Sequence, residues 1–262
     1  NFITNSAKSL NIKKWDFGAS FSNDFSVQVD KGIAKQLKAS QKQVLTLRVW
    51  NDKNLVGITT TSDLSENGLK KALYQANLAS DYGNKNELTD FSPLAKDPIK
   101  DIKQAKRSPA GIKKLLETLR FAESELLKKH SAIKTIPYNG LSESFYKRIY
   151  ANSEGAQRSY AKSQAAIYLY ARAEENNRKP RSSGSVKIGY GLEDIDINSC
   201  IDEAAEKTIS HLNYSAIETG KYKVCFSPES FLTLMNAFSS IFNARSIIDG
   251  VSISNKDSIG EM

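Results

Sequence analysis

Apolar and polar positions alternate first. In DFSVQVDKG (24–32), Phe25, Val27 and Val29 point one way and polar residues the other, and Asp30-Lys31-Gly32 supplies a turn. AKQLKASQKQVLTLRVWND (34–52) then places Leu45, Leu47 and Val49 on one face, and NLVGITTTSD (54–63) does the same with Val56, Ile58 and Thr60. The pattern predicts an antiparallel meander with one wet face. From SENGLKKALYQANLAS (65–80) onward the period lengthens: Leu69, Ala72, Leu73 and Ala76 fall at helical spacing, entered from Asp63 or Ser65 as the cap. A helix laid across one face of the sheet follows.

Residues 81–107 are rich in Asn, Lys and Asp, hold Pro93 and Pro98, and read as a connector. SPAGIKKLLETLRFAESELLKKH (108–130) is the clearest helical stretch. Ser108 stands as its cap, Pro109 in its first turn, and Ile112, Leu115, Leu116 and Leu119 in one stripe. Lysines and His130 at its end suit the negative pole of the helix dipole. LSESFYKRIYAN (141–152) and SYAKSQAAIYLYARAEEN (159–176) flank the turn NSEGAQR and predict a long hairpin. Its strands carry Tyr146, Tyr150, Tyr160, Tyr168 and Tyr170, which fit a half-exposed sheet better than an aromatic surface for a peptide or a base.

PRSSGSVKIGYG (180–191) reads as a loop without phosphate-loop spacing. Ser182, Ser183 and Ser185 lie near Arg181 but have no histidine base beside them, so a serine nucleophile is not supported. DINSCIDEAAEKTISHLN (196–213) is a second capped amphipathic helix, with His211 at its end, and KYKVCF (221–226) reads as a strand. SPESFLTLMNAFSSIFN (227–243) enters a helix through a Ser-Pro corner. Phe231, Leu234, Met235, Phe238 and Phe242 are expected to form a stripe packed on the sheet.

Composition narrows the class. A chain of 262 residues with 40% hydrophobic and 25% charged residues is ordinary for a globular protein. No apolar run approaches the roughly 18 residues a membrane helix needs. The net charge of +8 allows a polyanion partner, but basic residues interleave with acids, as in KDPIKDIKQAKR (96–107), so a solvated lysine-rich surface is the better reading. Cys200 and Cys225 have no CxxC partner and are expected to be buried, reduced thiols. The chain begins at Asn1 and stops at SIGEM, which reads as trimming at both ends, so residues after Met262 could add ligands.

Four stretches carry a resemblance: WDFGASFSNDFSVQVDKGIAKQLKASQ, VGITTTSDLSENGLKKAL, YANSEGAQRSYAKSQAAIYLYAR, and GKYKVCFSPESFLTLMNAFSSIF followed by DGVS. Their order and spacing resemble the TldD/PmbA family, also called modulators of DNA gyrase. The resemblance implies an α+β fold: an N-terminal antiparallel sheet with helices on one face over 1–105, a central helix, hairpin and helix over 106–219, and the start of a β-rich C-terminal domain over 220–262. It also implies a cytoplasmic zinc-dependent peptidase of two related subunits acting on unfolded peptides.

The family's catalytic subunit has His-Glu-x-x-x-His on the helix after KYKVCF. Zinc needs neutral nitrogen or thiolate ligands and an open position, and the glutamate serves its water as base. Aligned here, Asn236 and Ile241 replace the histidines and Ala237 the glutamate, and a shift of one residue does not help, since the only histidines are His130 and His211. The resemblance therefore points to the PmbA (TldE) branch: a subunit without catalytic residues or a cofactor of its own, whose zinc sits in a TldD-like partner. The partner is a TldD-like chain or a second copy, the substrate an unfolded peptide, and a sheet edge could add that peptide as a further strand. The alternative is a regulatory protein acting on gyrase or nucleic acid, which predicts salt-dependent DNA affinity.

Overall fold

The computed structural model describes residues 2–83, 91–98 and 107–258. Parts of the expected connector, 84–90 and 99–106, lie outside the described residues. The described chain forms two compact units, one through Tyr214 and one from Ser215, and each is described by itself.

The first unit is a six-stranded antiparallel sheet in the order β3-β2-β1-β4-β5-β6, so the fold is α+β as expected. β1 (Lys14–Asp30) and β2 (Ile33–Trp50) meet at Lys31 and Gly32, whose φ values of 51° and 76° give the two-residue turn whose twist matches that of paired strands. β3 (Val56–Thr61) pairs with β2. β4 (Ile133–Asn152) pairs with β1, and the hairpin β4–β5 (Gln157–Ala173) turns around Gly155 at φ 93°. One sheet thus crosses the boundary expected near residue 105.

The hydrophobic alternation decides which face is covered. Trp15, Val27 and Val29 on β1 lie on the same side as Leu45, Leu47 and Val49 on β2 and Leu141 on β4, and all are buried. α1 (Phe2–Ser9) and α2 (Glu66–Ser80) pack on one end of this side, burying Ala7, Leu73 and Ala76 with Trp15, Leu47 and Val49. α3 (Ile112–Lys128) and α4 (Ile197–Ser210) pack on the other, burying Leu115, Leu119, Leu126 and Ile201 with Ile167 and Leu169 of β5. Burial of a Leu or Ile side chain is worth about 1.5–3 kcal/mol, so these two clusters carry much of the stability. Ser65, rather than Asp63, is the cap of α2, accepting from the Gly68 amide at 3.1 Å. Gly57 of β3 permits the close approach of α2: a Cβ there would lie 1.9 Å from the Ala76 carbonyl oxygen. Val56, Ile58 and Thr60 do share a face, but it is the opposite one, where Ile58 is exposed.

Buried polar groups fix the details. The Glu123 carboxylate of α3 accepts from the Lys31 and Gly32 amides at 3.0 and 2.6 Å, clamping the β1–β2 turn to the helix. Asn139 exchanges hydrogen bonds with both backbone groups of Val29, at 3.0 and 2.9 Å, next to the break in β1 register.

Three expectations need correction here. α3 starts at Ile112 from Gly111 (φ 82°), not from Ser108. Tertiary hydrogen bonds draw the preceding segment out of the helix: the Arg107 amide donates to Ser163 Oγ and the Ala110 amide to Glu143, at 2.8 Å each. Residues 181–189 are a strand, β6 (Arg181–Gly189), not a loop. β5 supplies the ladder, and Gly184 leaves room for the Tyr170 ring. Cys200 is buried as expected, but Cys225 is exposed.

In the second unit, α5 (Pro228–Ala237) is entered as predicted, with Ser227 accepting from the Ser230 amide at 3.2 Å. α6 (Ala244–Ile248) follows a 3₁₀ turn. KYKVCF is not a strand, and this unit has no strand among its described residues to satisfy such a backbone. The stripe Phe231, Leu234, Met235, Phe238 and Phe242 is exposed rather than packed on a sheet.

Candidate functional site

The helix where a metal site was sought is shorter than the sequence suggests. Asn236 and Ala237 end α5; Phe238 leaves helical geometry at φ −94° and ψ 2°, and Ile241 belongs to the 3₁₀ turn Ser239–Phe242. The α-helix therefore stops before the position of the second expected histidine. An amide, a methyl and a branched hydrocarbon cannot form a zinc shell, so the residues present do not fit that ion. Among the described residues no three of His, Cys, Asp and Glu converge as ligands. Both histidines belong to the first unit: His130 follows α3 and its Nδ1 accepts from the Ala132 amide at 3.1 Å, and His211 caps α4.

The sheet face opposite the helices gathers the tyrosines. Register pairs Tyr146 with Lys162, Arg148 with Tyr160, Gly140 with Tyr168 and Gly184 with Tyr170, so all five lie on one side. Two of them are structural. A Cβ on Gly140 would strike the Tyr168 ring, which lies across it, and one on Gly184 would strike the Leu169 carbonyl oxygen and the root of the Tyr170 side chain. The Tyr168 hydroxyl also accepts from Gln28 at 2.9 Å.

One end of this face holds a charged network that the strand pattern did not suggest. Asp16 is buried and takes Arg48 in two-pronged fashion, with Nε at 2.8 Å, while the Tyr150 hydroxyl donates to it at 3.2 Å. The carboxylate raises the Arg48 pKa, mainly through the hydrogen bond. Burial, aided by Asp16, raises that of Tyr150. Arg48 lies 5.1 Å above the Trp50 ring, and Lys14 lies 5.2 Å from both the Trp50 and Phe91 rings. Asp16, Arg48 and the Tyr150 hydroxyl hold one another in place, which suits rigidity rather than proton transfer, while the buried Trp50 Nε1 beside them has no hydrogen-bond partner among the described residues.

On the helical side, Glu203 of α4 meets Lys187, Lys207 and Ser185 Oγ at 2.5, 2.7 and 2.9 Å, and these partners hold its pKa at about 2. Ser185 is thereby committed to a structural bond. Burial pushes the Cys200 thiol up, which keeps it inert. A cavity of about 710 Å³ with an apolar floor that includes Trp15, Phe17, Leu45 and Ile149 opens beside α1.

A family profile described as the PmbA/TldA metallopeptidase central domain matches residues 105–212. No curated protein matches the chain. Among solved structures, a candidate modulator of a DNA gyrase from Thermotoga maritima MSB8 superposes with a TM-score of 0.81 at 19% identity, over 96% of this chain and 56% of that one. A candidate modulator of DNA gyrase from Bacteroides thetaiotaomicron VPI-5482 gives 0.77 at 14%, over 95% and 57%. TldE from Thermococcus kodakarensis gives 0.65 at 15%, over 80% and 47%. The chain therefore spans about half the length of these structures and shares their fold. Residues 105–212 thus match the PmbA/TldA metallopeptidase central domain, and the chain has the fold of these three structures.

Proposed function

We propose that this chain acts as a PmbA/TldE-like, non-catalytic subunit of a TldD-type zinc metallopeptidase that degrades or processes unfolded peptides in the cytoplasm. The observation that carries the reading is the chemistry at Asn236, Ala237 and Ile241, which offers neither a zinc ligand nor a base where the resemblance places both. The zinc and the hydrolytic water then belong to a TldD-like partner, and this chain helps to enclose and hold the substrate. No helix among the described residues is long and apolar enough to cross a membrane, which agrees with that setting. The two sheet edges are flanked by helices: α2 closes on β3 at Gly57, and Thr208 of α4 donates to the Ser183 carbonyl of β6 at 3.0 Å. The sheet face opposite the helices is the surface this reading assigns to the peptide, with an edge strand as the other route.

The test is coexpression with a TldD-like chain. A one-to-one complex that cleaves unfolded casein and loses activity with a chelator, together with no stoichiometric zinc on this chain alone, is the expected result. Zinc bound one-to-one by the isolated chain, or casein cleavage by it alone, would overturn the reading. Salt-dependent DNA binding without any such complex would favour the gyrase or nucleic-acid alternative instead.

A further inference from the structure

We propose that the sheet face opposite the helices binds an extended acidic stretch of polypeptide. The inference rests on the peptide-holding role above and adds a substrate class to it.

The floor of this face is small and hydroxylic: Ser20, Ser22 and Ser26 on β1, Ser142 and Ser144 on β4, and Ser40 on β2 all point to it by register. Apart from Tyr146, side chains this short leave a shallow trough over which a chain can lie close to the sheet. Cations stand on both sides. One row across the strands runs Lys42, Ser22, Tyr146, Lys162, which sets two ammonium groups three interstrand steps apart, about 14 Å. That width accommodates one extended chain with its side chains. Lys38 and Arg148 extend the two walls, and all four cations are exposed. Among the described residues no acid pairs with Lys38, Lys42 or Lys162.

The charge is lopsided. Acids at strand positions of this face are Asp16, which Arg48 already engages, Asp24, which accepts from Ser22 Oγ at 3.1 Å, and the exposed Asp30 at the β1–β2 turn. A basic surface that looks scattered along the sequence is thus gathered by the pleat, because even-numbered positions of four strands share a side.

The tyrosines argue for carboxylates over nucleic-acid bases. Stacking needs an open ring face, but Tyr168 lies across Gly140, Arg148 covers the Tyr146 ring at 5.0 Å, and Tyr150 is tied to Asp16, which leaves Tyr160 and Tyr170 as the exposed rings of the five. What the trough does offer is hydroxyl donors and cations, which suit Asp and Glu side chains at the spacing of an extended peptide.

The test is fluorescence anisotropy with the 262-residue chain and labelled, unstructured 12-residue peptides in a Gly-Ser background carrying Glu, Lys or no charge. The Glu peptide is expected to bind tightest, with affinity falling as salt rises. Lys38→Glu/Lys42→Glu/Lys162→Glu should weaken it about tenfold, while circular dichroism and melting stay unchanged because the three side chains are exposed. Equal binding of the three peptides, no effect of the triple variant, or tighter binding of single-stranded oligo-dT than of the Glu peptide would overturn the proposal. The readout needs neither partner nor peptidase activity. An acidic preference without a productive complex would therefore sink the subunit role alone, and a productive complex without that preference would sink this inference alone.

Discussion

Glu143 is 5% exposed in the middle of β4, and it is the point at which two loops are fastened to the sheet. Its Oε2 accepts from the Ala110 amide at 2.8 Å and its Oε1 from the Leu192 amide at 3.2 Å, so one side chain positions the entry to α3 and the approach to α4. Glu143→Gln keeps the shape but leaves one acceptor oxygen. One backbone N–H then faces an amide NH₂. Hydrogen bonds to a charged acceptor are worth about 1.5–3 kcal/mol and neutral ones about 0.5–1.5, so weakening one and losing the other costs about 2–3 kcal/mol. For a unit of this size each kcal/mol is worth about 2–4 °C, which predicts a melting temperature lowered by roughly 5–10 °C. Amide hydrogen exchange gives the local readout: protection at Ala110 and Leu192 should fall, while the Lys31 and Gly32 amides, held by Glu123, keep theirs. Unchanged melting with unchanged exchange at Ala110 and Leu192 would show that the carboxylate does not fasten these loops.

The ion cluster at Glu203 makes stability depend on acid. A carboxyl at about 2 in the fold, against an ordinary 4.5, contributes fully above pH 4.5 and loses its contribution as pH falls towards 2. With the side chain partly exposed, the contribution is about 1 kcal/mol, and Glu203→Gln should flatten melting temperature against pH in that window. Gly57→Ala places a methyl group against the Ala76 carbonyl and should cost about 3 kcal/mol, read as early urea unfolding with loss of α2 helicity; near-wild-type unfolding would refute the close packing. Removing Asp16 by Asp16→Ala strands Arg48 and the Tyr150 hydroxyl and should lower the melting temperature more than Arg48→Ala together with Asp16→Ala, a comparison that tests whether the three act as one unit.

The exposed apolar side chains of α5 and the exposed Cys225 set the second unit apart from the first. The first unit buries its Leu and Ile in two clusters, while Phe231, Phe238 and Phe242 are each about half or more exposed. The proposed absence of chemistry at Asn236, Ala237 and Ile241 rests on side-chain identity alone and so was available before any coordinates.

Local periodicity was enough for much of the architecture. Alternation at Val27, Val29, Leu45, Leu47 and Val49 marked the covered face of the sheet, and 3.6-residue spacing marked α2, α3 and α4, because those patterns are the burial itself written along the chain. Other features required distant residues to meet. β6 is a strand only because β5 lies beside it; α3 starts late because Glu143 and Ser163 capture the preceding amides; and Asp16 finds Arg48 only through register. The gathering of Lys38, Lys42, Arg148 and Lys162 around one trough has the same origin. Charges separated by scores of residues become neighbours through strand pairing, and no window of sequence contains that pairing.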